Sequence, residues 1–103
     1  MQADVDLRPT LMESRVLEAA EYVRAVLGPL VDHPETLTIE HALGRQSCVL
    51  TVSCCRSDFG QLVGKEHRNL RAIRELLLGI GGRHSIRYEL ECRDPQKGAG
   101  KLR

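Results

Sequence analysis

The sequence has no apolar run near the roughly 18 residues that a bilayer-spanning helix needs. Its acidic start, MQADVD, also lacks the charged-then-apolar layout of a signal peptide, so we expect a cytoplasmic protein. At 103 residues the chain is short for a deep catalytic cleft, and no internal repeat or linker divides it, which predicts one domain with a modest core. A charged content of 28% and a hydrophobic content of 42% are typical of a folded domain.

Spacings typical of metal sites and catalytic triads are also missing. The candidates are four cysteines, Cys48, Cys54, Cys55 and Cys92, and four histidines, His33, His41, His67 and His84. They form no C-x-x-C pair and no metal-ligand spacing, and no acid and base candidates converge. We therefore expect no metal, no cofactor and no enzymatic activity. The cysteines should be reduced. Cys48 and Cys54 share one face of the second predicted strand and Cys92 shares the apolar face of the third, so we expect them to pack in the core as small hydrophobic residues.

Charge is distributed unevenly along the chain, although the net charge is only +1. Residues 1–43 hold three basic and eight acidic side chains, whereas residues 44–103 hold twelve basic and six acidic ones. This asymmetry points to contact between the basic half and a nucleic acid, although a solvated charged surface explains it about equally well.

Residue patterns predict the element order helix, strand, strand, helix, helix, strand. Apolar residues three and four positions apart predict a helix over residues 11–31, interrupted at Gly28-Pro29. Alternating apolar residues predict strands over residues 37–43, 47–55 and 84–92. A turn at Gly44 would join the first two strands in a hairpin.

Two helices are predicted between the second and third strands. The first is short, covers residues 59–63 and would be capped by Ser57. The second would run from about His67 to Leu78 and end at the glycine-rich residues 79–82, because glycine adopts the left-handed geometry of a C-terminal cap. A phosphate-binding role for these glycines is disfavoured, because they follow a helix rather than precede one.

The segment 62–74, LVGKEHRNLRAIR, carries the strongest functional signal. An apolar pair, then Gly64 beside Lys65, then a basic helix start indicate a turn that leads into a helix N-terminus, where free N–H groups and the helix dipole favour an anion. Three arginines follow at intervals of three on that helix, Arg68, Arg71 and Arg74. Contact with nucleic-acid phosphates explains this pattern better than solubility does.

The element order and the segment LVGKEHR resemble the type II (prokaryotic) KH domain. The segments LVDHP, SCVLTV and DFGQLVGK extend the resemblance to the small bacterial single-KH-domain proteins of the KhpA type. It covers roughly residues 14–93, which would leave residues 1–13 as an N-terminal extension and residues 94–103 as a flexible basic tail. The resemblance implies an α+β fold, an α/β sandwich of order α-β-β-α-α-β, with helices packed on one face of a three-stranded sheet.

In that family a Gly-x-x-Gly loop clamps the backbone of about four nucleotides of single-stranded nucleic acid. The matching loop here is Gly64-Lys65-Glu66-His67, in which a histidine replaces the second glycine. The resemblance implies RNA binding by Gly64, Lys65, Glu66, His67, Arg68, Arg71 and Arg74, above a groove floor formed by Val52, Val63 and Ile73. His67 would either block the backbone geometry and the close phosphate approach that glycine permits, or donate a side-chain hydrogen bond to a phosphate.

The resemblance implies a non-enzymatic RNA-binding protein, an RNA chaperone or post-transcriptional regulator, that binds single-stranded RNA with weak sequence specificity. A single small KH module binds weakly. It would therefore form a homodimer or a complex with the larger multidomain KH protein KhpB (Jag), a pair that in the family is linked to control of cell elongation and envelope synthesis. The alternative is a protein-interaction module, for dimerisation or docking, that has lost RNA binding.

Overall fold

The computed structural model describes residues 10–95 of the chain. Its elements are α1 (Leu11–Leu27), β1 (Thr38–Leu43), β2 (Ser47–Ser53), α2 (Phe59–Val63), α3 (Arg68–His84) and β3 (Arg87–Cys92). This order confirms the predicted α+β arrangement. The predicted tail lies largely outside the described residues, as do the first nine residues of the predicted N-terminal extension.

Helix α1 begins at a capping box. The Thr10 hydroxyl accepts a hydrogen bond from the Glu13 N–H at 3.1 Å, and the Glu13 carboxylate accepts one from the Thr10 N–H at 2.9 Å. The helix therefore starts at Leu11, as predicted. It ends at Leu27, where a short 3-10 turn, Gly28–Leu30, takes over and confirms the predicted interruption.

The three strands form one mixed sheet in the order β1-β2-β3. β1 and β2 pair antiparallel as the predicted hairpin, and β2 and β3 pair parallel with Leu50 opposite Leu90. Every second residue of β2 and β3 faces inward and is buried. These residues are Cys48, Leu50 and Val52 on β2, and Tyr88, Leu90 and Cys92 on β3. The helices cover this face, and their contribution to the core is Val16, Ala19, Val23, Leu27, Leu62, Val63, Leu70, Ile73 and Leu77.

Two large apolar residues, one near the end of the predicted first helix and one at the end of the predicted first strand, are exposed. Leu30 is 37% exposed and Leu43 is 44% exposed. β1 is an edge strand. Leu37, just before the strand, is buried, whereas the far end of the strand is exposed to solvent. The helical layer therefore covers the start of the hairpin but not its tip.

The glycine-rich residues do not end α3, which corrects the predicted helix end at Leu78. The helix continues to His84 and is closed by Ser85, which has a φ of +58°, and by a 3.1 Å hydrogen bond from the Ile86 N–H to the Gly81 carbonyl. A Cβ at Gly81 would lie 2.5 Å from the Ile86 carbonyl oxygen. This glycine permits the close approach of the chain as it turns back into β3, so packing rather than capping explains its presence.

We expect the three glycines of α3 to respond differently to alanine. Gly79→Ala and Gly82→Ala should each raise the free energy of unfolding by roughly 0.5–1 kcal/mol, because both positions are helical and an added Cβ meets nothing within 4 Å. Gly81→Ala should lower it by about 1–3 kcal/mol, because the helix and the following chain must move apart. Urea unfolding of the three variants measures the difference. Equal effects at all three positions would contradict the packing role of Gly81.

The predicted cap of α2 is also wrong. Ser57 lies inside a 3-10 turn, Arg56–Asp58, and its hydroxyl lies 3.4 Å from the Cys55 sulfur. Asp58 occupies the N-cap position of α2 but makes no side-chain capping bond there. Its buried carboxylate accepts hydrogen bonds from the backbone N–H groups of Asp32 at 3.3 Å and His33 at 2.8 Å, so it fixes the segment that leads into β1.

Candidate nucleic-acid interface

The loop between α2 and α3 begins at a glycine that no other residue can replace without strain. Gly64 has a φ of +83° and closes α2 through a 2.9 Å hydrogen bond from its N–H to the Gly60 carbonyl. A Cβ at this position would lie 2.7 Å from the side-chain nitrogen of Asn69 and 3.1 Å from its backbone nitrogen. Substitution of Gly64 would therefore disturb the fold of the loop as well as any ligand contact.

Asn69 holds the two helices together at this loop and was not predicted from the sequence. Its Nδ2 donates a 3.0 Å hydrogen bond to the Gln61 carbonyl, one of the last carbonyls of α2, which lack partners within their own helix. The loop is closed further by a 3.0 Å bond from the His67 N–H to the Gly64 carbonyl. The only sequence signal was an asparagine near a helix start, which does not identify a partner eight residues away.

His67 adopts the backbone conformation that a glycine would favour. Its φ is +61°, and that of Glu66 is +55°, so two consecutive non-glycine residues are left-handed. Such a conformation costs roughly 1–2 kcal/mol for an ordinary residue, although histidine adopts it more often than most. The turn therefore forms with a histidine in place of the second glycine, and the His67 side chain does not prevent a left-handed backbone at this position.

The basic residues around the loop fall into two groups. Lys65, Arg68 and Arg71 are exposed, and within residues 10–95 none of them forms an ion pair or a hydrogen bond through its side chain. Arg74 instead donates a 3.0 Å hydrogen bond from Nη2 to the Leu90 carbonyl of β3. Residues three apart on a helix advance by about 300°, so Arg74 lies about 120° around the axis from Arg68 and reaches the sheet.

The three predicted floor residues lie in the core. Val52 is fully buried, and Val63 and Ile73 are 5% and 2% exposed. They pack with the other core residues between sheet and helices, as plain core positions do. Contact between these side chains and nucleic-acid bases stays a prediction.

A second group of polar side chains lies at the opposite end of α2. Nδ1 of His33 is 3.3 Å from Oδ1 of Asp58 and 3.7 Å from the sulfur of Cys55. The hydrogen bond to Asp58 raises the pKa of the His33 imidazole. Hydrogen bonds from the hydroxyls of Ser57 and then Thr36 lower the pKa of the Cys55 thiol. Burial works to raise the pKa of Asp58, but its hydrogen bonds, first those from His33, outweigh burial and hold that pKa below its usual value.

The arrangement does not have the geometry of a catalytic triad. In a triad one imidazole nitrogen faces the nucleophile and the other faces the carboxylate. Here the Cys55 sulfur and the Asp58 carboxylate both approach Nδ1 of His33. The sequence did not predict this group, because the hairpin brings together His33 and Cys55 from positions 22 residues apart.

The other cysteines differ in their surroundings. All four are free thiols. Cys48 and Cys92 are buried in the core, as predicted, and burial raises the pKa of Cys92 to about 12. Cys54, which follows β2, is half-buried and packs against that core, also as predicted. Cys55, for which no core position was predicted, is half-buried beside His33.

No helix within residues 10–95 is both long enough and apolar enough to cross a membrane.

Comparison with known proteins identifies the family of this chain. Residues 20–92 match the family described as KhpA/KhpB, KH domain. The chain is 34% identical over 71 residues to the RNA-binding protein KhpA of Chlamydia pneumoniae, covering 69% of this chain and 91% of that protein. It is 32% identical to the RNA-binding protein KhpA of Listeria monocytogenes serovar 1/2a, covering 69% and 93% of the two chains. It is also 32% identical to the RNA-binding protein KhpA of Bacillus subtilis, covering 67% of this chain and 85% of that protein. No solved structure matches the chain. The matching residues run from within α1 to the end of β3 and include the whole loop, so the chain belongs to the KhpA/KhpB family of KH domains.

Proposed function

We propose that this protein binds single-stranded RNA at the loop Gly64-Lys65-Glu66-His67 and the first turns of α3. The observation that carries the proposal is the left-handed backbone at His67, a conformation that glycine would favour, beside three exposed, unpaired cations. The relatives named above as RNA-binding proteins support the same assignment. A phosphate would meet Lys65, Arg68 and Arg71, whose charges no acidic partner within the described residues neutralises.

The other predicted residues take lesser parts in this proposal. Glu66 lies exposed at the loop tip, where its charge would repel phosphate and limit how closely the RNA backbone passes. Arg74 would act mainly by holding α3 against β3, because its guanidinium is already bonded to the Leu90 carbonyl. Its replacement should therefore affect stability more than the salt dependence of binding.

The finer role that we propose is that of a cytoplasmic RNA chaperone or post-transcriptional regulator. Few phosphate contacts on one small module give weak binding, which pairing with a second KH module would strengthen through effective concentration. Either a second copy of this chain or the larger KH protein KhpB would supply that module. A surface pocket of about 280 Å³ between α3 and the edge strand β3 supports pairing, because Leu78, 68% exposed, lines it together with Leu90.

The salt dependence of RNA affinity tests the electrostatic mechanism. With about two to four phosphates engaged, a plot of log affinity against log salt should have a slope of roughly −1.4 to −2.8 for a single strand. Arg71→Ala should make that slope shallower by about 0.7, the share of one phosphate contact. Arg83→Ala, at the far end of α3, is the matched control and should leave the slope unchanged. A salt-independent affinity would contradict the mechanism.

A further inference from the structure

Three potential metal ligands lie together outside the proposed RNA site. They are Nδ1 of His33, Sγ of Cys55 and a carboxylate oxygen of Asp58, which we call the His33–Cys55–Asp58 cluster, and all three atoms lie within 4.8 Å of one another. Within residues 10–95 no other group of three or more His, Cys, Asp or Glu side chains meets this spacing. The cluster joins three separate segments: the residues before β1, the end of β2 and the start of α2.

Two of the three separations within the cluster match the edges of a tetrahedral zinc site. An ion about 2.1 Å from an imidazole nitrogen and about 2.3 Å from a thiolate sulfur sets those two atoms about 3.6 Å apart, and sets nitrogen and carboxylate oxygen about 3.4 Å apart. The observed separations are 3.7 Å between Cys55 Sγ and His33 Nδ1, and 3.3 Å between His33 Nδ1 and Asp58 Oδ1. Two edges of the ligand triangle therefore have the required length before any ion is bound.

The surroundings hold the ligands in place and leave one side open. The Asp58 side chain is 1% exposed, and its two oxygens are fixed by the N–H groups of Asp32 and His33. Hydrogen bonds of this kind orient the ligands of metal sites. The His33 side chain is 51% exposed, so an ion can enter from solvent and keep a water in its fourth position. Thiolate and carboxylate together also supply two negative charges to balance a divalent cation.

We propose that the His33–Cys55–Asp58 cluster binds a divalent cation of the zinc class through three protein ligands and one solvent ligand. A sulfur, a nitrogen and a carboxylate oxygen favour zinc or cobalt over magnesium or calcium, which prefer oxygen ligands alone. The bound ion would link the segment before β1 to β2 and α2. It would thereby stabilise the folded protein, because the three ligands are brought together only on folding.

Cobalt titration of the full chain under reducing conditions tests the site, because Co²⁺ bound to a thiolate gives a charge-transfer absorption in the near ultraviolet. The wild type and Cys54→Ser should bind one equivalent of Co²⁺ with this absorption, and Zn²⁺ should displace it. Cys54 is the matched control, since it is the neighbouring half-buried thiol. Cys55→Ser should abolish the absorption, and His33→Gln, which keeps the thiol, should weaken Co²⁺ binding at least about tenfold.

Thermal unfolding gives a second readout that does not depend on RNA. Saturating Zn²⁺ should raise the Tm of the wild type and Cys54→Ser by at least about 4 °C but leave that of Cys55→Ser unchanged. Circular dichroism shows whether each variant is folded before titration. Absence of a thiolate absorption in the wild type, or its persistence in Cys55→Ser, would overturn the proposal. In the first case the close distances of the cluster would be those of hydrogen bonds alone.

Discussion

Replacement of both Arg68 and Arg71 by glutamate is expected to lower the affinity for a short single-stranded RNA by at least about 100-fold. Each arginine would lose a charge-assisted contact worth about 1.5 kcal/mol or more, and the new carboxylates would repel phosphate. Both side chains are exposed and, within residues 10–95, make no ion pair, so the fold should be unaffected. Fluorescence anisotropy of a labelled oligonucleotide at fixed salt measures the loss.

The matched control is the double variant Arg45→Glu/Arg83→Glu, which changes the net charge by the same amount at two exposed positions away from the loop. This control variant should lower the RNA affinity by less than about fivefold, because charges farther from the RNA than a Debye length of roughly 8–10 Å are largely screened. Equal losses in the two double variants would show that affinity follows net charge rather than the proposed site. Unchanged affinity in the Arg68/Arg71 variant would exclude α3 as the binding surface.

Loss of the His67 side chain is expected to weaken RNA binding about 10- to 100-fold, because a hydrogen bond to a charged phosphate contributes about 1.5–3 kcal/mol. His67→Gln keeps a hydrogen-bond donor at this position and should retain part of the affinity, whereas His67→Gly removes the donor. Anisotropy titrations at fixed salt compare the three proteins.

His67→Gly also separates the two functions that the sequence left open. Glycine removes the left-handed backbone cost at this position, so the variant should be at least as stable as the parent. If the parent binds no RNA at any pH and His67→Gly does bind, the histidine has disabled the loop. The protein would then be an interaction module rather than an RNA-binding protein.

The sequence was sufficient to predict the three strands and the turn at Gly64, because local patterns determine both. Strict alternation along β2 and β3 identified the buried faces, and the hairpin turn at Gly44 set the pairing of β1 with β2. The parallel pairing of β2 with β3 joins segments distant in sequence and did not follow from these patterns. Anion binding at the loop stays a prediction.

Most of the failures share a physical cause, which is contact between different elements of the fold rather than a pattern within one element. Gly81 was expected to end α3, but it is required by the approach of Ile86 to the helix. Ser57 was expected to cap α2, yet its hydroxyl lies beside Cys55, and the Asp58 carboxylate holds residues 25 and 26 positions earlier. The link from Asn69 to Gln61 and the placement of His33 beside Cys55 likewise depend on how the elements pack.

The central claim, that RNA binds at the loop and the first turns of α3, is tested most directly by nuclear magnetic resonance. A single-stranded oligonucleotide would be titrated into the isotope-labelled full chain, and the shift of each backbone amide would be followed. The largest shifts should fall on residues 64–71, while the hairpin tip near Arg45 and the far end of α3 near Arg83 should change little. Saturable shifts confined to other surfaces, or no shifts with added RNA, would contradict it.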